Sequence, residues 1–208
     1  MTRTALLIPS VLLVACSFGG CSSGQDRKAD TVESTEVVLS DVTMAKQQLA
    51  LSTHALTGLR NATETDDLQR LRDEIASSQL ALDKALADVD DNSSDAVDTA
   101  KKQSLAWQEQ ANAFTDSGLR AASQNREGVL RDAVADLEAS SSKLRAAGKL
   151  YHDQAAQIIA ALDLDRSYQG TRSIMPSLDR VVTGEAELRE ALDDVAEKAT
   201  AVGKANDE

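Results

Sequence analysis

His54 and His152 are the only histidines in this 208-residue chain, and 34 Asp and Glu stand against 22 Lys and Arg. Imidazole and carboxylate are therefore the groups from which acid–base or metal chemistry would have to be built. An imidazole ligates a metal or moves a proton only when a second ligand or partner acid is held beside it. His54 has no carboxylate three or four residues away on either side, so it makes no helical ligand pair and reads as a solvated surface residue. His152 lies between Tyr151 and Asp153. His152 and Asp153 would form a mixed metal site only if another helix brought a further ligand. The paired Glu-x-x-His signature of helical di-metal bundles is absent, as are a nucleophile elbow, a phosphate-cradling glycine loop and any Cys-His arrangement. The carboxylates are spread among Lys and Arg over helix faces, as on the exterior of a soluble bundle. These residues predict no catalytic activity, no catalytic group and no cofactor.

The two cysteines, Cys16 and Cys21, carry a different chemistry. Arg3 is followed by an eleven-residue, largely apolar stretch from Ala5 to Ala15. That is too short to span a bilayer, which needs roughly 20 residues, and reads as a secretory signal. It ends in Leu13-Val14-Ala15-Cys16, and Phe18-Gly19-Gly20-Cys21 follows. Both resemble the bacterial lipobox, in which small residues admit the signal peptidase to a cysteine bearing diacylglycerol. Leu13 favours Cys16 as the lipidated residue, with Cys21 as the alternative; an ordinary disulfide between the two is the remaining reading. The division expected is 1–15 signal peptide (alternatively 1–20), 16–32 lipidated cysteine and flexible tether, and 33–208 helical domain. Multiple acyl chains hold a protein firmly at a membrane, at about 0.8 kcal/mol per buried methylene. The expected location is the cell envelope, facing the periplasm or exterior, and the outer membrane in a Gram-negative cell because serine follows either cysteine.

Composition narrows the domain. Aromatics make up 2% of the chain, glycines number ten and prolines two, a bias toward long helices rather than sheets. The net charge of −12 repels nucleic acid and anionic lipid alike. With no cysteine after Cys21, stability must come from apolar packing.

Apolar residues recur at alternating spacings of four and three, as in a packed helical seam. The spacing predicts a first helix over 33–60 (Val38, Val42, Ala45, Leu49, Leu56), a second over 65–89, and a third from Ser94 to about Phe114. A turn is expected at Asp90-Asp91-Asn92-Ser93-Ser94, although a four-plus-four stutter from Val89 to Val97 could keep helices two and three continuous. Thr115-Asp116-Ser117-Gly118 marks a reversal. The fourth helix, 119–162, would be about 66 Å long at 1.5 Å per residue. A break follows over 163–173, and Pro176 suits the first turn of a last helix. The fold class is therefore all-α: an elongated antiparallel bundle with coiled-coil-like packing and four to five long helices.

Glu185 occupies an apolar seam position, where an unpaired charge is costly. It either snorkels to water at a bundle edge or serves as a register pin or partner contact. Trp107 and Phe114, one heptad apart, read as core anchors rather than a ligand box.

Around the third helix Trp107-Gln108-Glu109, Phe114-Thr115-Asp116, Leu119-Arg120 and Ser123 form a sequence of short motifs. This pattern resembles a bacterial family known only as domain-of-unknown-function family 2959, many of whose members have lipoprotein-like or secretory N-termini. Asp153-Gln154 and Leu162-Asp163 are similar to its later positions. The resemblance implies a long-helix, coiled-coil-rich fold over most of the mature chain and marks Trp107, Glu109, Phe114 and Arg120 as structural or interaction residues. It implies no activity. Where the family has Lys-His-Asn, this chain has Ile159-Ala160-Ala161.

Two functions are compatible with these features. The first is a membrane-anchored helical scaffold that engages an envelope protein, with self-association of the seams open and no nucleic-acid partner. The alternative is a small-ligand or divalent-cation-binding helical module in the envelope.

Overall fold

A computed structural model describes residues 22–62 and 65–207. Cys16, Cys21 and the expected signal peptide lie outside the described residues. Within them the chain forms α1 (Ser22–Gly58), α2 (Thr65–Ala113), α3 (Ser117–Leu164), the short α4 (Tyr168–Ser173) and α5 (Met175–Asp207). No strand occurs among the described residues. None of these helices is long and apolar enough to cross a membrane.

The four long helices form one antiparallel bundle. Helix α1 packs on α2 and α5, and α3 packs on the same two, so α1 and α3 are diagonal. The register is visible in cross-helix polar contacts. Asn92 donates to Asp41 (2.6 Å) between α2 and α1, and Arg145 to Asp90 (2.7 Å) between α3 and α2. Lys143 meets Asp194 (3.3 Å) between α3 and α5, and Arg60, two residues past α1, meets Asp179 (2.7 Å) of α5. The expected seams are the core: Val38, Val42, Ala45, Leu49 and Leu56 of α1 are buried, with Leu59 just past its end, as are Leu130, Val134, Leu137, Leu144, Tyr151, Ile158 and Leu162 of α3. Small seam residues admit close approach. A Cβ on Gly148 would lie 3.2 Å from Leu86 Cδ1, so α2 and α3 approach closely there.

One alternative that the sequence leaves open is decided, and three expectations need correction. Helices two and three are one helix of 49 residues, about 73 Å long. The Asp90 to Ser94 stretch turns nowhere, because Ser93 is buried in the seam between Val89 and Val97, while Asp90 and Asn92 are held by Arg145 and Asp41 on the neighbouring helices. The spacing of four and four is the stutter that keeps the stripe inward. Secondly, the expected tether is helical from Ser22 onward. Polar side chains replace apolar ones there: Thr31 and Thr35 are buried and return their hydroxyls to Arg27 O (3.0 Å) and Val32 O (2.8 Å). The end of α5 closes over them, with Asn206 Nδ2 donating to Lys28 O at 2.8 Å. Thirdly, the break at 163–173 contains α4, capped by Ser167, whose hydroxyl accepts from Gly170 N, and anchored by buried Thr171. Finally, the α5 seam passes through buried Gly184 rather than Glu185.

The reversal between α2 and α3 falls where the sequence places it. Asp116 Oδ1 accepts from Gly118 N (2.8 Å) and Leu119 N (2.9 Å), an N-cap for α3.

Candidate functional site

Two places gather polar groups beyond what packing requires. The first is a layer inside the bundle. Tyr151 is 1% exposed, and its hydroxyl donates to Ser52 Oγ (3.1 Å) and lies 3.1 Å from Thr53 Oγ1. Ser52 Oγ in turn reaches Gln79 Oε1 (3.4 Å), and Gln79 Nε2 donates to Asp83 Oδ1 (2.9 Å). Asp83 Oδ2 then meets His152 Nδ1 at 2.9 Å on the surface. A hydrogen-bonded line thus runs from the core to solvent through α3, α1 and α2. Burial pushes the Tyr151 phenol above its ordinary value, with the Glu185 carboxylate adding to the effect and the Ser52 and Thr53 hydrogen bonds opposing it. The phenol is therefore held neutral and acts as a donor that fixes the layer.

At the outer end of this line lies a surface groove of about 480 Å³ between α2 and α3, whose lining includes Asp83, Leu86, Gly148, His152 and Asp153. His152 and Asp153 do not converge on a common point. His152 engages Asp83, while Asp153 accepts from Lys149 Nζ at 2.6 Å. His54 is exposed and lines a separate groove near the α1–α2 connection. Among the described residues no group of three or more His, Cys, Asp and Glu could hold a metal ion. Glu185 is spoken for as well: its side chain is 21% exposed and accepts from Arg189 Nη2 at 2.7 Å, one turn away. This is the edge position among the alternatives that its sequence context allowed.

The second place is the α2–α3 hairpin. Here the motif residues Trp107, Phe114, Arg120 and Ser123 meet. Arg120 donates from Nε (3.2 Å) and Nη2 (2.6 Å) to Phe114 O, the end of α2 that no helical amide can satisfy. Ser123 Oγ donates to Trp107 O at 3.2 Å. Arg126 stacks its guanidinium over the indole of Trp107, 5.6 Å from the ring centroid. Trp107 is buried and Phe114 half-buried; both line an open cleft of about 410 Å³ with Leu119, Arg126, Val129 and Ala205. Glu109 is exposed on the outer side of α2. The short motifs therefore describe how a helical hairpin is closed, with carbonyls capped from the opposite strand of the hairpin and one aromatic clamped by a cation.

At the opposite end of the bundle Arg72 forks onto Asp163, Nε to Oδ1 and Nη2 to Oδ2, both at 2.9 Å, and Arg166 joins Asp163 to Gln69. The Arg72 hydrogen bond, then that of Arg166, holds the Asp163 carboxyl below the usual carboxylate range. A carboxyl depressed in the folded state adds stability above its unfolded pKa, and that contribution is lost as pH falls through the folded value. Asp163→Asn is therefore expected to lower the melting temperature near neutrality and to converge on the wild type as pH is lowered from about 5 to about 2. A gap that stays constant across that series would show that the pair carries no pH-linked stability.

The class defined by this geometry is an antiparallel four-helix bundle with a closed apolar core, one buried polar layer and a hairpin clasped by Arg120 and Arg126. No family model, curated protein or solved structure matches the chain.

Proposed function

We propose that the protein is a lipid-anchored envelope lipoprotein whose bundle acts as a helical scaffold or interaction module, without catalytic activity. The observation that carries this reading is the position of α1. It begins at Ser22, next to Cys21 and six residues on from Cys16, so either anchor would hold the rigid bundle directly at the membrane instead of on a long tether. A bundle of about 73 Å along α2 then projects helix faces away from the surface, where an envelope partner can be engaged. His152 pairs with Asp83, Asp153 with Lys149 and Glu185 with Arg189 on the bundle surface. The resemblance to family 2959 agrees with an elongated helical protein and adds no activity.

In-cell crosslinking of the full-length protein, followed by mass spectrometry, tests the reading. A reproducible envelope partner that disappears in the Cys16→Ser, Cys21→Ser double variant is the expected outcome. Self-crosslinks alone, unchanged in the double variant, would count against an anchored scaffold.

A further inference from the structure

Helix α1 differs from its neighbours in how its outer face is charged. In a chain of net charge −12, residues 42–63 contain no Asp or Glu, the longest such run after Asp26. The two basic residues of that run, Lys46 and Arg60, both engage α5, at Asp193 and Asp179. The solvent face of α1 over this stretch is therefore left to Thr43, Met44, Gln47, Leu51 and His54, all of them exposed.

Along that face runs a line of apolar side chains that the core does not use. Val37 is 41% exposed, Met44 49% and Leu51 56%, and each follows the last by one heptad. A heptad drifts only about 20° around a helix, so the three form one stripe about 21 Å long. On the other helices no two of the exposed large apolar side chains among the described residues follow one another at heptad spacing. Beside the stripe, the small Ala81 and Ala85 of α2 leave a groove of about 400 Å³ against Met44 and Gln48.

Charge decides what this stripe can meet. The acidic residues of α1 all precede the acid-free run, with Glu33, Glu36 and Asp41 nearest to it. A parallel, in-register pair of α1 helices would set each of these acids against itself, which costs binding energy. An antiparallel pair about a two-fold axis at Met44 brings them level with residues 47–55 of the other copy, which hold no Asp or Glu. The same register sets Val37 level with Leu51 of the other copy and Met44 level with Met44. The stripe is thus complementary to itself in charge and in spacing, in one orientation.

We infer that the protein pairs with a second copy of itself through α1, the two helices running antiparallel about a two-fold axis at Met44. Residues 30–58 of the two helices then overlap over about 42 Å, and at a helix width of about 10 Å they cover about 400 Å² per copy. That is half of the roughly 800 Å² per partner of a standard interface, so the dimer is reversible and is best detected by trapping it. The inference goes beyond the anchored-scaffold reading and does not depend on the lipid anchor.

In the full-length chain carrying Cys16→Ser and Cys21→Ser, an introduced cysteine is the only thiol. Each purified variant is treated with a short bismaleimide and its mass read on a denaturing gel. Met44→Cys, which faces itself across the axis, is expected to move to twice the chain mass. Val37→Cys and Leu51→Cys should each stay at the chain mass alone, because their own copies lie about 21 Å apart along the pair, and should crosslink when mixed. Leu164→Cys, at an 89% exposed position, measures chance collision. Leu51→Asp added to Met44→Cys should abolish the dimer, since it sets a carboxylate among Glu33, Glu36 and Asp41 of the other copy. All of the substituted side chains are exposed, so the fold is kept, which melting curves verify. Met44→Cys that crosslinks no more than Leu164→Cys, or as fully with Leu51→Asp as without it, would overturn the pairing. Val37→Cys that crosslinks alone as readily as in the mixture would show parallel helices and overturn the two-fold arrangement.

Discussion

Proline at position 93 is expected to destabilise the protein by about 3 kcal/mol or more. Ser93 lies within α2, 1% exposed, where its amide belongs to the helical ladder and its small side chain is buried in the seam between Val89 and Val97. Proline removes that hydrogen bond and drives its ring into the preceding turn. The substitution discriminates sharply, because a turn over residues 90–94 would accept proline at little cost. Equilibrium urea denaturation of Ser93→Pro against wild type reads the difference. A midpoint within error of wild type would mean that two separate helices meet there. Because the two halves of α2 share one bundle, the loss should appear as a single cooperative transition.

The second large effect is at the polar layer. Tyr151→Ala leaves a cavity inside the bundle, takes the phenol partner from Thr53 and leaves Ser52 with Gln79 alone, for an expected loss of about 3–5 kcal/mol. Tyr151→Phe keeps the ring and removes only the hydroxyl, for about 1–2 kcal/mol. The pH dependence supplies an independent readout. The phenol's pKa is raised in the folded state, so its contribution is complete below the unfolded value of about 10 and is lost as pH rises through the folded one. Wild type should therefore weaken more steeply above pH 10 than Tyr151→Phe in thermal melts. Parallel curves for the two proteins would show that Tyr151 is not buried in this layer.

Much of the fold is legible in the spacing of apolar residues. The residues spaced by three and four from Leu130 to Leu162 of the long fourth helix, now α3, are buried, Ser141 and Gly148 among them, because a 3.5-residue repeat sustained over many turns can face a core in only one way. Apolar spacing does not identify the seam where polar or small residues hold it. Gln79 and Gln103 are buried although Ser78 and Ser104 fit the stripe equally well on paper. For Gln79 the choice is made by Asp83 and Ser52, which satisfy its amide across helices. Residues 22–32 look like a tether because their composition is that of a linker; only the closing of α5 over Thr31 and Thr35 makes them helix. Gly184 rather than Glu185 holds the seam, and a Cβ there would lie 3.0 Å from Gln154 Oε1.

The candidate sites were legible unequally. His152 was singled out, but its partner Asp83 lies 69 residues away, beyond any local pattern. Trp107, Phe114, Arg120 and Ser123 came forward as short motifs, and their meaning is geometric: Arg120 and Ser123 cap backbone carbonyls of α2 across the hairpin. No periodicity argument finds such contacts, because they join helix ends rather than helix faces.

The most direct test of the account is intact mass spectrometry of the protein purified from membranes of cells producing the full-length chain. The account predicts a mature form beginning at Cys16, or at Cys21, with the added mass of diacylglycerol and a fatty acyl chain, and loss of that mass when the cysteine is replaced by serine. A membrane-free species that retains residues 1–15, or one cleaved without lipid and carrying a Cys16–Cys21 disulfide, would contradict it.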